Sequence, residues 1–568
     1  MFFYTYTALT PEDIAAKLGP RPQAAGVSPF FEALAGKDLT VLLDGGTKLA
    51  LTFQDAGSLT VAENGGEPVS AAYRAIKLKE AVLISFLLPG TFRGWNIILE
   101  TGARRVTAFE VWFCGYKDNR EVQREIYYGY AECCCGQGDP GSRHHLTNRL
   151  ECKGLYWKDD MGVEILNFFP SVMYSTFVEI SNPRGGITIS APSDYIKISD
   201  NLYIYSRVEC EYSGTMVLEL IDLFKVQSAG LRLGFDEKDE LDYRLYTAKG
   251  TITGQGATYE AMTDYGEKIS LGPIGDRLKE KGARAVYRPK YMHPNMTWDQ
   301  VKVNAAKSNA AFTGESIMPG GNIMPVSDYM TGKKFTLRFD DGGPVWEYDI
   351  YEKNKLRWRN EGENDWHEED FQSFEPAEDL IFFCHLQTGD PRYRCVANAV
   401  DFKNGLVTCM DAHIGNVRTD WEVGHQAIFG ILEMEGVTPP LVRRHTLTTE
   451  LTGKAFSWSY SPDMTSIHVY SSPESYSWTI FLANGSGGMM WSSPCIYVKL
   501  REDAYMMSWV EETCNGSQGT FVFNPNIMHD AGFFYGMTEN GLSLTSFGAY
   551  ARHCGDYDIL KYFDQKNR

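Results

Sequence analysis

The sequence predicts an all-β protein built by tandem duplication, each copy supplying two antiparallel β-barrels, with short helices and a linker between the copies. Three observations predict it. Segments of the first half reappear in the second at a nearly constant offset. Strand-sized runs of alternating apolar and polar residues recur, broken at Asp-Gly, Gly-Gly or Ser-Pro. The length of 568 residues exceeds what one hydrophobic core serves.

The repeat is read first, because a missed repeat changes the whole fold assignment. Gly36-Lys37 in GKDLTVLLDGG matches Gly332-Lys333 in GKKFTLRFDDGG, 296 positions on. Val106-Thr107 matches Val407-Thr408, and Arg143-His144 matches Arg444-His445, both 301 positions on. Tyr195, Lys197, Ser206 and Glu209 match Tyr497, Lys499, Ser508 and Glu511 at an offset of 302. Ala229-Gly230 matches Ala531-Gly532 at the same offset. A drift this small marks a duplication.

The elements follow in order. Residues 1–142 hold an N-terminal helix and barrel 1. The helix lies in TPEDIAAKLG, with Thr10 as N-cap, Pro11 at the first helical position and Asp13 three residues after the cap. Barrel 1 contains LTVLLDGGTKLALTF. Barrel 2 occupies 143–250. A linker at 251–330 carries GTITGQG, the charged GDRLKEKGARAVYRPK and MPGGNIMP, with a short helix around Trp298 to Asn304. Barrel 3 (331–440) contains FTLRFDDGGPVWEYDIY, and barrel 4 (441–568) contains TSIHVYSSPESYSWTIFL. Strand-sized segments every ten residues or so suit antiparallel barrels or sandwiches.

Composition excludes several functions. A net charge of -19 repels polyphosphates and anionic membranes, so no nucleic acid partner is expected. No run of eighteen apolar residues and no signal-peptide pattern are present, so a cytoplasmic protein with no membrane span is expected. The triplets at Asn295, Asn484 and Asn515 then read as chance glycosylation matches. Twelve cysteines show no CxxC pair and no zinc spacing. The run Cys133 to Cys135 reads as a strand edge or loop, or as a redox or metal feature. The phosphate-binding, GxSxG, HExxH and dinucleotide motifs are missing, so no metal and no organic cofactor are expected.

SPDMTSIHVYSSPESYSWTIFL, followed by CIYVKLREDAYMMSWVEE, resembles the MoaF-like proteins, which implies tandem lipocalin-like (calycin) barrels. GKKFTLRFDDGGPVWEYDIYEKNKLRWR resembles that family's N-terminal barrel. The same stretch is similar to the phenolic acid decarboxylases, small calycin barrels that act without a cofactor. That resemblance implies an acid on a Ser-Trp-x-Glu strand, matched by Ser508, Trp509, Val510 and Glu511. Tyr460 matches the second tyrosine of a Tyr-x-Tyr strand, and Trp458 replaces the first. Met490 stands where an arginine belongs, which removes a bidentate grip on a carboxylate.

On a strand, residues two apart share a face. Tyr505, Met507, Trp509 and Glu511 therefore share one, and so do Tyr497 and Lys499 on the preceding strand. In the first copy Tyr203, Tyr205, Arg207 and Glu209 share a face, as do Tyr195 and Lys197. If these faces point inward, each barrel holds a Lys/Glu pair among aromatics. Glu511 would carry a proton, Lys499 and His468 would stabilise an oxyanion, and Tyr460, Tyr470 and Tyr497 would orient a phenol or enol. Trp458, Trp478, Trp509 and Met490 complete the expected lining, and Lys197, Glu209, Arg207 and Tyr195 are the first-copy equivalents. The same Lys and Glu also read as an ion pair on the solvent face.

The expected activity is a cofactor-independent lyase or isomerase, a cyclase included, acting on a small aromatic or polyketide-like molecule in the last barrel. The rival expectations are a binding or carrier protein without chemistry, and a scaffold with filled barrels. A homodimer is compatible with the sequence, which does not fix the oligomeric state.

Overall fold

The computed structural model describes residues 9–563 apart from 114–119, 134–140, 172–173, 182–185, 210–212, 237, 257–295, 308–320, 463, 483–489, 513–514 and 539. Most of the expected linker, and Cys134 and Cys135 with it, lies outside the described residues. The chain divides into two compact units, Met1–Met262 with Ser270–Tyr287 and Thr263–Ile269 with Arg288–Arg568. Among the described residues each unit carries two antiparallel β-rings and one short α-helix, so the all-β multi-barrel expectation is borne out.

Barrel 1 runs from Asp38–Leu43 to Val122–Cys133 and closes where Val41 pairs with Ala131. Barrel 3 repeats this from Lys334–Phe339 to Val423–Glu433, closing at Leu337 and Leu432. Barrel 2 begins at Lys153–Asp159 and ends at Leu241–Gln255. It closes on itself where Tyr174–Glu179 pairs with Ile187–Ser199. Barrel 4 begins at Lys454–Ser461 and closes where Met490–Arg501 meets Ala504–Val510. The strand equivalent to Leu241–Gln255 is broken here into Gly541–Phe547 and Tyr550–Asp556.

Both helices form where their caps dictate. Thr10 caps α1 (Pro11–Leu18) and Thr297 caps α2 (Trp298–Ala305). Asp13 and Gln300 complete reciprocal capping boxes, which satisfy N–H groups that a helix start leaves unpaired.

The outer walls explain why some strands lack alternation. Lys48–Phe53 alternates because its outer face meets solvent, whereas Ala81–Leu87 is buried along its whole length. Its inner residues Val82, Ile84 and Phe86 fill barrel 1. Its outer residues Ala81, Leu83 and Leu87 pack with Ile204, Leu218 and Leu231 of barrel 2. In the second unit Phe382, Ala399 and Met410 of barrel 3 pack likewise with Met506, Val522 and Phe533 of barrel 4.

The Arg-His pairs mark the corner between the barrels of each unit. Arg143 bonds Asp44 and Arg444 bonds Asp340, the aspartates of the two matching Asp-Gly turns. His144 and His445 each meet a threonine of the preceding barrel, Thr107 and Thr408, at 2.8 Å. Among the described residues no helix is long and apolar enough to cross a membrane, and no cluster of three or more His, Cys, Asp or Glu could hold a metal ion.

Candidate functional site

Barrel 4 contains a cavity of about 320 Å³ whose walls are mainly aromatic. Strands Met464–Ser472 and Ser475–Leu482 supply His468, Tyr476 and Trp478, and Ala504–Val510 supplies Trp509. Tyr460, Glu511, Asn515 and Phe534 also line it. The volume lies at the lower end of small-molecule sites, and a mostly apolar wall with a few polar groups is their usual chemistry.

Glu511 sits one residue past its strand, at the mouth of a tight turn. Its N–H donates to Ser517 O at 2.9 Å, and its carbonyl accepts from Gly516 N at 3.0 Å. The turn brings the Asn515 amide onto Glu511 Oε2, while Asn515 Oδ1 accepts from Ser517 N at 2.8 Å. Burial pushes the Glu511 carboxyl up to about 7, partly offset by hydrogen bonds to the carboxylate. Such an acid exchanges its proton near neutrality, as a general acid or base requires.

His468 is fully buried against Trp458, Tyr476 and Trp509, with ring centroids 5.6, 5.2 and 6.5 Å away. Burial lowers it to about 3, so the ring is neutral at physiological pH. Nε2 lies 3.1 Å from Ser466 Oγ, and Nδ1 has no partner among the described residues. Trp478 Nε1, Tyr476 Oη and Thr545 Oγ1 are likewise buried without a described partner, on side chains that line the same cavity. Buried polar groups are rarely left so, and a concentration of them around one cavity fits a ligand that would satisfy them.

The expected Lys/Glu pairing is corrected. Lys499 does not share the cavity with Glu511; it binds Glu450 at 2.8 Å and Glu502 at 3.0 Å at the far end of the strand. The reason is hairpin register. Lys499 pairs with Tyr505, six residues before Glu511, which separates them by about 20 Å along the strand. Lys197 pairs with Tyr203, six residues before Glu209, and its amine meets Asp200 at 3.0 Å. The oxyanion role assigned to Lys499 therefore falls away.

Other expected residues divide by depth. Tyr460, His468, Trp478, Trp509 and Glu511 line the cavity. Tyr470, Tyr497 and Trp458 pack with Phe456 in the aromatic core of the barrel and do not line it. Tyr497 donates to Ser475 O at 3.1 Å. Met490 is buried and also lies outside the lining. Sequence reasoning missed Tyr476 and treated Asn515 only as a glycosylation triplet; its position four residues after Glu511, in a turn, was the available signal.

Barrel 2 holds an equivalent cavity of about 810 Å³. The register matches position by position: Asn167 stands for His468, Phe177 for Trp478, Arg207 for Trp509 and Glu209 for Glu511. The turn after Glu209 repeats too, with Ser213 Oγ on Glu209 Oε2 at 2.5 Å where Asn515 serves Glu511. Tyr195 stacks on Tyr205 at 5.8 Å and donates to Tyr174 O at 2.6 Å.

Comparison with known proteins places the second unit. The MoaF N-terminal domain matches residues 313–416 and the MoaF C-terminal domain matches 445–556. No curated protein matches the chain. Among solved structures, a putative β-lactamase from Burkholderia vietnamiensis is 15% identical over 18% of this chain and 95% of its own, with a TM-score of 0.16. The LG1-3 region of the laminin α2 chain is 9% identical over 74% of this chain and 90% of its own, with a TM-score of 0.09. Scores so low carry no structural argument. The two domain matches, consecutive and in order along barrels 3 and 4, make the second half of the chain similar to the MoaF family.

Proposed function

We propose that barrel 4 is a small-molecule site and that Glu511 transfers a proton there, as in a cofactor-independent isomerase or lyase acting on a small aromatic or polyketide-like molecule. One observation carries this reading: a buried carboxyl with a pKa of about 7, set in an aromatic-walled cavity. With Lys499 at the far end of the strand, a single proton carrier is best suited to moving a proton within one molecule. The Glu511 carboxylate would take a proton from carbon next to a carbonyl, and the electron pair would pass to the carbonyl oxygen. Neutral His468, or the indole N–H groups of Trp478 and Trp509, would donate hydrogen bonds to that oxygen. The proton then returns to another carbon, and no oxidant or co-reactant is consumed.

The test is hydrogen–deuterium exchange at the enolisable carbon of 2-tetralone in D2O, followed by NMR. The full chain is expected to exchange it faster than buffer, and Glu511→Gln is expected to bind it without exchange. Equal exchange in both proteins would remove Glu511 from the chemistry. Binding without exchange in either supports a carrier, the second reading, which the four polar atoms without described partners, His468 Nδ1, Trp478 Nε1, Tyr476 Oη and Thr545 Oγ1, also favour. The cavities in barrels 2 and 4 weigh against a purely scaffolding role.

A further inference from the structure

The equivalent cavity in barrel 2 has the opposite chemistry to that in barrel 4. Positions occupied by Trp509, Phe534 and Thr545 in barrel 4 carry Arg207, Arg232 and Arg244 in barrel 2. All three arginines line the cavity. Arg207 is taken out of water, which is costly for a guanidinium, while Arg232 and Arg244 stay part-exposed at the same cavity.

Their carboxylate partners do not use up their capacity. Arg207 is 1% exposed; its ion-pair contact is with Glu209 at 3.4 Å, and its Nη1 donates to Tyr205 Oη at 3.3 Å. Both are longer than the 2.7–2.9 Å typical of a charge-assisted hydrogen bond. Arg232 shares the same carboxylate, at 3.3 and 3.5 Å. Glu209 thus sits between two guanidiniums and takes its short contact from neutral Ser213. Arg207 Nε is buried without a described partner, as are Asn167 Nδ2 and Trp157 Nε1 on other side chains of the lining. All three are donors.

Six carboxylates line the cavity against four basic groups, so what it offers an anion is the unfilled donors of Arg207, Asn167 and Trp157 rather than a net positive charge. Asp242 is engaged by Arg232 at 2.7 Å and Arg244 at 3.2 Å, and Asp159 lies 3.7 Å from Arg244. Burial pushes Glu179 and Glu219 upward, toward their neutral forms, and Tyr246 donates to Glu219 at 2.5 Å. Apolar surface is present as well: the Arg207 guanidinium lies over the Phe177 ring at 4.3 Å, and Trp157 forms another part of the wall.

We propose that barrel 2 is a second ligand site that takes a small organic anion. Its carboxylate or phosphate group lies between Arg207 and Arg232, and its apolar body lies against Phe177 and Trp157. The two barrels of C-terminal type therefore select different molecules: a neutral or weakly acidic aromatic in barrel 4, and an anion in barrel 2. This site does not depend on proton transfer by Glu511.

The test uses the full chain and three probes of similar shape, phenylacetate, phenyl phosphate and neutral phenylacetamide, with binding followed by saturation-transfer NMR and calorimetry. At least one anion is expected to bind at millimolar concentration or tighter, and the amide at least about tenfold more weakly at the site that Arg207→Met disrupts, amide bound in barrel 4 being insensitive to that substitution. Preference between the two anions identifies the head group. Arg207→Met is expected to weaken anion binding about tenfold or more, the loss of one hydrogen-bonded charge. Glu511→Gln is expected to leave it unchanged. If Arg207→Met fails to fold, Asn167→Leu decides: it removes a buried donor, so the variant is expected to melt no lower than the parent while binding the anion less well. Amide binding that equals the anion's and is weakened to the same extent by Arg207→Met overturns the proposal. So does absence of binding by both anions, and so does full anion affinity in folded Arg207→Met or Asn167→Leu.

Discussion

Trp509 of barrel 4 and Arg207 of barrel 2 occupy the same register position on equivalent strands, Trp509 opposite Gly519 and Arg207 opposite Val217. The indole needs the glycine: a Cβ at Gly519 would lie 2.2 Å from a Trp509 ring carbon. Gly519→Ala is therefore expected to destabilise the second unit by about 1–3 kcal/mol and to displace Trp509 into the cavity. Urea unfolding, with tryptophan fluorescence as the signal, measures both effects. Unchanged stability and emission would contradict the packing described.

The raised pKa of Glu511 makes stability depend on pH. Its folded value of about 7 lies above the ordinary 4.5, so the fold favours the protonated acid. That contribution is fully present below about 4.5 and is lost as pH rises through about 7, with an upper bound of roughly 3 kcal/mol. Glu511→Gln imitates the neutral acid and is expected to flatten this part of the profile. Urea midpoints of both proteins at about pH 5 and about pH 8 test it. Parallel loss of stability in the two proteins would assign the dependence to other groups.

Lys499→Met is expected to leave binding and exchange in barrel 4 unchanged, because the amine binds Glu450 and Glu502 on the surface, remote from the cavity. Surface ion pairs contribute little to stability, so the melting temperature should also hold. A loss of exchange without loss of fold would restore Lys499 to the site.

The corner contacts give a paired prediction. Thr408→Val leaves His445 Nδ1 buried without its hydroxyl partner, and Thr107→Val does the same to His144. Each is expected to cost about 1–3 kcal/mol. Urea unfolding of the full chain, followed by hydrogen exchange resolved by peptide, should show each loss confined to its own unit.

Much of this architecture was legible in the sequence, and the misreadings have physical causes. The duplication was visible because Asp-Gly turns and Arg-His corners tie the barrels of each unit together and stand at matching offsets. The helices were legible because Thr10 and Asp13 carry the cap chemistry in the sequence itself. Strand Ala81–Leu87 hid its alternation because both of its faces are buried. The Lys499–Glu511 error came from treating two strand faces as neighbours without the position of the turn. Pairing of Arg501 with Ala504 fixes the register, and that register carries Glu511 six residues past Lys499's partner. The cavity polarity of barrel 2 was missed because Arg232 and Arg244 lie on strands distant in sequence from Arg207, and only barrel closure brings them together.

The pH dependence of 2-tetralone exchange tests Glu511 as the proton carrier most directly. The predicted rate rises with pH through a midpoint near 7 as the carboxylate forms, and the rise is absent in Glu511→Gln while tryptophan quenching shows that the ketone still binds. A rate equal to buffer at every pH, or the same profile in Glu511→Gln, would contradict proton transfer by Glu511 in barrel 4.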